Sequence, residues 1–120
     1  MARILIVDDD ESDRIVLSTI LERAGHETFI AEDGEAALRE YRGTGIEVVI
    51  TDLQMPNVHG LELITLLRDF TPRPAIIAIS GTGSDQLDMA QVVGAEATLS
   101  KPVTPTELLN AVTKAVAGEA

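Results

Sequence analysis

Ile4-Leu5-Ile6-Val7-Asp8-Asp9-Asp10 (ILIVDDD) is the stretch on which the fold turns. Four consecutive apolar residues leave no polar face for water, so the run reads as a strand buried on both sides. Three acids follow at its carboxyl end. Beyond them Leu17, Ile20, Leu21 and Ala24 recur at i, i+3, i+4, i+7, the period of an amphipathic helix. Gly25 stands where a left-handed C-terminal cap falls. A doubly buried strand followed by a helix is the unit of a covered parallel sheet.

The rest of the chain repeats that unit. Thr28–Ala31 is a weaker strand between Glu27 and Glu32, predicted at a sheet edge because one side is polar. Asp33-Gly34 opens a second helix with Ala37, Leu38 and Tyr41 on one face, and Gly43-Thr44-Gly45 ends it. Ile46–Thr51 holds a second clear buried strand, Val48-Val49-Ile50. Asp52–Gly60 reads as a loop with Pro56 and Asn57. A third helix is predicted over Leu61–Phe70, burying Ile64 and Leu67, with Pro72 and Pro74 at its exit. Ala75–Ile79 is a further strand. Gly81-Thr82-Gly83-Ser84 is a loop, with Ser84 expected to cap a helix that Gly94 stops after Val93. Ala97–Ser100 is the fifth strand. Thr104-Pro105-Thr106-Glu107 is a strong helix start, with a capping Thr, Pro at the first position and Glu three residues after the cap. Leu108, Val112, Ala115 and Val116 form the expected buried stripe of that helix. Five strands alternating with five helices predict an α/β fold: a doubly wound (βα)5 parallel sheet of order 2-1-3-4-5, helices on both faces and right-handed crossovers.

At 120 residues the chain is expected to be one domain, residues 1–120. Nine Lys plus Arg against twenty Asp plus Glu give a net charge of -11. That charge opposes binding to nucleic-acid phosphates and to anionic membranes. The apolar fraction of 45% is too high for acidic disorder. Phe29, Tyr41 and Phe70 are the only aromatics, too few for a base-stacking platform. The absence of cysteine excludes thiol nucleophiles and Cys-ligated metals. No apolar run approaches the ~18–20 residues of a membrane span, and Ile4–Val7 is too short for a secretory core, so a cytoplasmic location is expected.

In doubly wound sheets the site lies at the carboxyl ends of the strands, by the switch in strand order. Strand one ends in Asp8-Asp9-Asp10, strand three in Thr51-Asp52, strand four in Ser80-Gly81 and strand five in Ser100-Lys101-Pro102. Asp8, Asp9 and Asp52 are therefore predicted to converge, with Ser80 and Lys101 on the opposite wall. Two carboxylates ~4 Å apart repel by about 4 kcal/mol at an effective dielectric near 20. A cation, a proton or a nearby Lys must balance them, and hard oxygen donors that keep several waters suit Mg²⁺. A phosphoryl group fits between such an ion and Lys101, with Ser80 donating to it and Asp52 as the nucleophile.

These pieces in this order resemble the receiver domain of two-component response regulators, of the flavodoxin-like chemotaxis-regulator type. The matching segments are Ile4–Asp9, Thr51–Gly60 (TDLQMPNVHG), Ile79–Gly81 and Ser100–Pro102. The resemblance spans the whole chain. It implies that Asp52 accepts phosphate from the histidine of a sensor kinase or phosphotransfer protein. It implies that Asp8 and Asp9, with Asp52 and the backbone carbonyl of Gln54, hold Mg²⁺. Ser80 matches the switch hydroxyl beside Gly81, and Lys101 the phosphoryl-binding lysine. Pro102 follows a bond commonly cis in the family, which is reasonable where the X–Pro penalty is only ~0.5–1 kcal/mol. Gln54 and Thr82 match the positions that set phosphoryl lifetime, and neither favours rapid water attack, so slow autodephosphorylation is expected.

One position departs from the family. Thr98 stands three residues before Lys101, where the family usually has Tyr, Phe or His. No ring is there to rotate inward, so phosphorylation is expected to persist while the switch differs. The chain is expected to be a signalling switch rather than an enzyme, assisting only its own phosphorylation and dephosphorylation. With no output domain after the fifth helix, it is expected to act through a downstream protein, as a monomer or weak dimer.

Other readings fit less well. A flavin-binding flavodoxin needs stacking aromatics and a phosphate loop free of acids. A haloacid-dehalogenase-like phosphatase can borrow Asp8-x-Asp10-x-Ser12 but lacks a late acidic pair and leaves Asp52 unused. An EF-hand fails at Asp13 and Thr19, where Gly and Glu are required. A receiver-like module that binds proteins without phosphorylation is the remaining alternative. His59 reads as a solvated loop residue and His26 as an exposed turn residue.

Overall fold

Ile4 to Val7 are fully buried because the strand they form lies in the middle of the sheet, covered on both faces. The computed structural model describes residues 2–53, 60–70, 72–81 and 84–117. Its elements are β1 (Arg3–Val7), α1 (Glu11–Arg23), β2 (Glu27–Ala31), α2 (Gly34–Thr44), β3 (Val48–Asp52), α3 (Gly60–Leu67), β4 (Ala75–Ser80), α4 (Ser84–Val93), β5 (Ala97–Ser100) and α5 (Pro105–Val116). The sheet order is β2-β1-β3-β4-β5, as predicted, and all four pairings are parallel.

Alternation along the strands divides the core in two. Leu5, Val7, Val49, Ile76 and Ala78 pack with Ala37, Leu63, Leu67, Leu87 and Ala90, on the face that α2, α3 and α4 cover. Ile4, Ile6, Val48, Ile50, Ile77 and Ile79 pack with Leu17, Leu21, Leu108 and Val112, on the face of α1 and α5. Asp8 and Asp52 share the parity of Ile4/Ile6 and Val48/Ile50. Their carboxylates therefore emerge on the α1/α5 side, at the carboxyl ends of adjacent strands.

The capping predictions mostly hold. Thr104 and Glu107 form a reciprocal capping box with Pro105 at the start of α5. Asp33 caps α2, accepting from the Ala36 amide at 2.8 Å. Gly25 and Gly94 take positive φ, and Gly45 caps α2 in the left-handed conformation at φ 68°.

Several details differ from the sequence reading. Leu108, Val112 and Ala115 of the expected stripe are buried, but Val116 is exposed, because each i+4 step on a helix overshoots by about 40° and Ala111 holds an inward position instead. Ala24 is exposed because α1 ends at Arg23. α3 ends at Leu67, and the next turn tightens into i→i−3 bonds, Asp69 N–H to the Leu66 carbonyl and Phe70 N–H to that of Leu67. α4 already includes Ser84, which therefore does not precede the helix. His26 is half-buried rather than exposed: its Nδ1 accepts the Ala2 amide at 3.0 Å, and burial lowers its pKa.

Candidate functional site

Asp8 leaves β1 buried, with its Oδ1 accepting the Asp10 amide at 2.9 Å. This turn lets Asp10 cap α1, accepting the Ser12 amide at 2.9 Å. Arg14, one turn into α1, donates to the Asp8 backbone carbonyl at 2.7 Å and ties the turn to the helix. Asp52 ends β3 and is 6% exposed, while Ser80 ends β4 at 1%. The carboxylates of Asp8, Asp9 and Asp52 offer oxygens within 4.8 Å of one another, with Asp9 the exposed member. The structure thus brings together the three acids singled out in the sequence.

Lys101 reaches into this group from beyond β5. Its Nζ lies 3.2 Å from Asp52 Oδ2 and 3.7 Å from Asp8 Oδ2. It also lies 3.1 Å from Asp13 Oδ2, on the first turn of α1. The Lys101 amide donates to the Ser80 carbonyl at 3.0 Å, so the start of the β5–α5 loop is fixed to β4. The Lys101–Pro102 peptide bond is cis. Exposed Gly81 lies along the lysine stem, where an added Cβ would meet Lys101 Cδ at an ordinary 3.6 Å. A cavity of about 420 Å³ opens beside Lys101 between α1 and the β5–α5 loop, walled by Val16, Leu17, Pro102 and Val103.

The electrostatics follow from burial and crowding. Burial pushes the Asp8 carboxyl up to about 6, against the opposing hydrogen bond from Asp10, and the nearby charge of Asp52 adds to the rise. Burial works against the Lys101 ammonium, but the hydrogen bond to Asp13 and the charges of Asp52 and Asp8 outweigh it and raise its pKa. The site is therefore short of positive charge. Three carboxylate donors of one hard type fit a divalent cation with oxygen preference, Mg²⁺ before Zn²⁺. Asp8, Asp9 and Asp52 are the residues that would hold it.

Asp13 is the residue that sequence reasoning missed. An acid in the first turn of a helix is ordinary, and nothing local separates Asp13 from Glu11. Its pairing with Lys101 spans 88 positions of chain and exists only in the fold. Gln54, Thr82 and His59 lie outside the described residues. Thr98 is half-buried on β5, opposite Ala78 of β4.

Residues 4–113 match the family model of the response regulator receiver domain. The chain is 38% identical over 111 residues to a response regulator receiver protein of Anaeromyxobacter, covering 92% of this chain and 47% of that protein. It is 36% identical over 114 residues to the CAI-1 autoinducer sensor kinase/phosphatase CqsS of Vibrio cholerae, covering 92% of this chain and 17% of that one. It thus spans less than half the length of these relatives. Among solved structures, a receiver domain protein of Clostridium thermocellum superposes with a TM-score of 0.92 at 32% identity, covering 98% and 96% of the two chains. The chemotaxis response regulator CheY4 of Vibrio cholerae gives 0.87 at 31% identity, covering 96% and 98%. With the strand order, the acidic group at the strand ends and these likenesses in agreement, the chain belongs to the receiver domain family of two-component response regulators.

Proposed function

We propose that Asp52 accepts a phosphoryl group from the phosphohistidine of a sensor kinase or phosphotransfer protein, in a Mg²⁺-dependent reaction. The observation that carries this reading is the grouping of Asp8, Asp9 and Asp52 against the Lys101 ammonium. An Asp52 carboxylate oxygen attacks phosphorus, forming a new O–P bond. The P–N bond breaks, and its electron pair stays on the donor imidazole. Bound Mg²⁺ would supply the positive charge that lets a dianion approach three carboxylates. Lys101 pairs with charge on the transferred group, and the Ser80 hydroxyl turns to donate to one of its oxygens. On this reading residues 1–120 act as one receiver domain, a cytoplasmic switch and not an enzyme with turnover. No helix among the described residues is long and apolar enough to cross a membrane.

The test is incubation with acetyl phosphate and Mg²⁺ followed by intact mass. A single phosphoryl adduct is expected, absent in EDTA and absent in Asp52→Asn. An adduct that survives Asp52→Asn would sink the reading.

The output is assigned to the α4–β5–α5 face. Met89 and Val92 of α4 and Val116 of α5 are exposed apolar side chains on its two helices, surface that a downstream protein can cover. Thr98 lies in the strand between those helices. Amide chemical shifts of the phosphorylated sample are expected to move around Ser80 and α4, with only small changes along β5. A large rearrangement of β5 would show that Thr98 transmits the switch as a ring does.

A further inference from the structure

We propose that Asp13 shares the Lys101 ammonium with Asp52 and, through its charge, slows phosphorylation by small dianionic donors. The inference rests on the phosphoacceptor reading of Asp52. Asp13 Oδ2 is 3.1 Å from Lys101 Nζ, and Asp52 Oδ2 is 3.2 Å from the same atom. One ammonium therefore donates hydrogen bonds to two carboxylates from different elements, α1 and β3, with Asp8 Oδ2 a third acid at 3.7 Å.

Asp13 is not needed to place the lysine. Asp52 and Asp8 already hold Nζ from the sheet, both of them buried, and the Lys101 amide is bonded to β4. Nor is the pair a plausible source of stability, since the Asp13 side chain is 40% exposed and such pairs contribute little. What Asp13 adds is a negative charge at the mouth of the site, beside the cavity that gives access to Lys101. Its carboxylate and that of Asp52 share one ammonium, so they lie within about 6 Å of each other. A donor bringing two negative charges to Asp52 meets that field and must also draw Lys101 from Asp13. A protein donor that brings a cationic side chain to Asp13 escapes both penalties. The site thereby discriminates against small dianionic phosphodonors, on charge alone.

The test uses Asp13→Asn, which keeps shape and a hydrogen-bond acceptor but removes the charge. Initial rates of Asp52 phosphorylation are followed by intact mass with acetyl phosphate, a dianion near neutral pH, and with phosphoramidate, which carries less negative charge. With acetyl phosphate, Asp13→Asn is expected to react about three- to tenfold faster than wild type at low ionic strength. The gain should shrink with phosphoramidate and again as salt is added. A merely structural role changes neither dependence. Equal or slower reaction of the variant, or a gain indifferent to donor charge and salt, overturns the inference while leaving Asp52 as acceptor. Absence of any adduct on the wild-type chain overturns both readings. Asp13→Ala is the control: it should speed the reaction as Asn does, whereas a loss would show that the contact with Asp13 is what holds Lys101.

Discussion

Asp8→Asn is expected to stabilise the metal-free protein at pH 7.5 by roughly 1–3 kcal/mol while abolishing Mg²⁺-dependent phosphorylation. The Asp8 side chain is almost wholly buried, and its carboxyl titrates at about 6 rather than 3.8. That displacement corresponds to roughly 3 kcal/mol favouring the protonated form in the fold. The sign follows from linkage. A carboxyl with a raised folded pKa contributes stability fully below its unfolded value, and that contribution is lost as pH rises through the folded value. Metal-free wild type should therefore lose stability between about pH 4 and pH 7 relative to Asp8→Asn. The asparagine Oδ1 can still accept the Asp10 amide, and its NH2 can donate to Asp52. Urea denaturation in EDTA across that pH range measures the difference. Mg²⁺ should then raise the midpoint of wild type and leave the variant unmoved. A variant less stable than wild type at pH 7.5 would show that the Lys101 pairing outweighs burial at this carboxylate.

Gly60→Ala is expected to cost about 3 kcal/mol or more and to disturb Asp52 without touching its side chain. Gly60 begins α3 and is buried against the end of β3. A Cβ there would collide with the Asp52 backbone oxygen and would lie 2.5 Å from Leu53 Cα. Both obstacles are main chain, held by the pairing of Asp52 with Ile79 and by the Leu53 amide's bond to the Ile79 carbonyl at 3.1 Å. Neither can yield as a flexible side chain does. Either α3 moves off the sheet or the phosphoacceptor moves with its backbone. Thermal or urea unfolding reports the first outcome. The second appears as slower phosphorylation by acetyl phosphate in whatever fraction stays folded. A variant with wild-type stability would mean that α3 has room to shift, contrary to the packing of Leu63, Ile64 and Leu67.

Much of this site could be read before any tertiary information. ILIV and VVI have no polar face, so both strands had to lie inside the sheet, and their carboxyl ends had to carry Asp8 and Asp52 to one edge. That the two acids share a face was not legible, because it rests on the β1–β3 register that sets Ile4 opposite Val48. Thr104–Glu107 was legible, because a capping box is complete within four residues. The errors were of another kind. Val116 satisfied a helical period but not the width of the contact that α5 makes. Ser84 and Phe70 lay at helix ends, where local signals are ambiguous by a residue or more.

The division has a physical origin. Strand and helix identity, strand order and the convergence of Asp8, Asp9 and Asp52 follow from hydrophobic period and from the rule that parallel strands present their carboxyl ends together. Those are properties of short segments. The sharing of Lys101 between Asp13 and Asp52, and the need for glycine at position 60, depend on distances between segments far apart in the chain. Helix α1 had to settle on the β1/β3/β4 face at a particular depth before Asp13 could reach the lysine. Helix α3 had to approach β3 closely enough that no Cβ fits. Such distances come from the packing of the whole core, and no local pattern in the sequence encodes them.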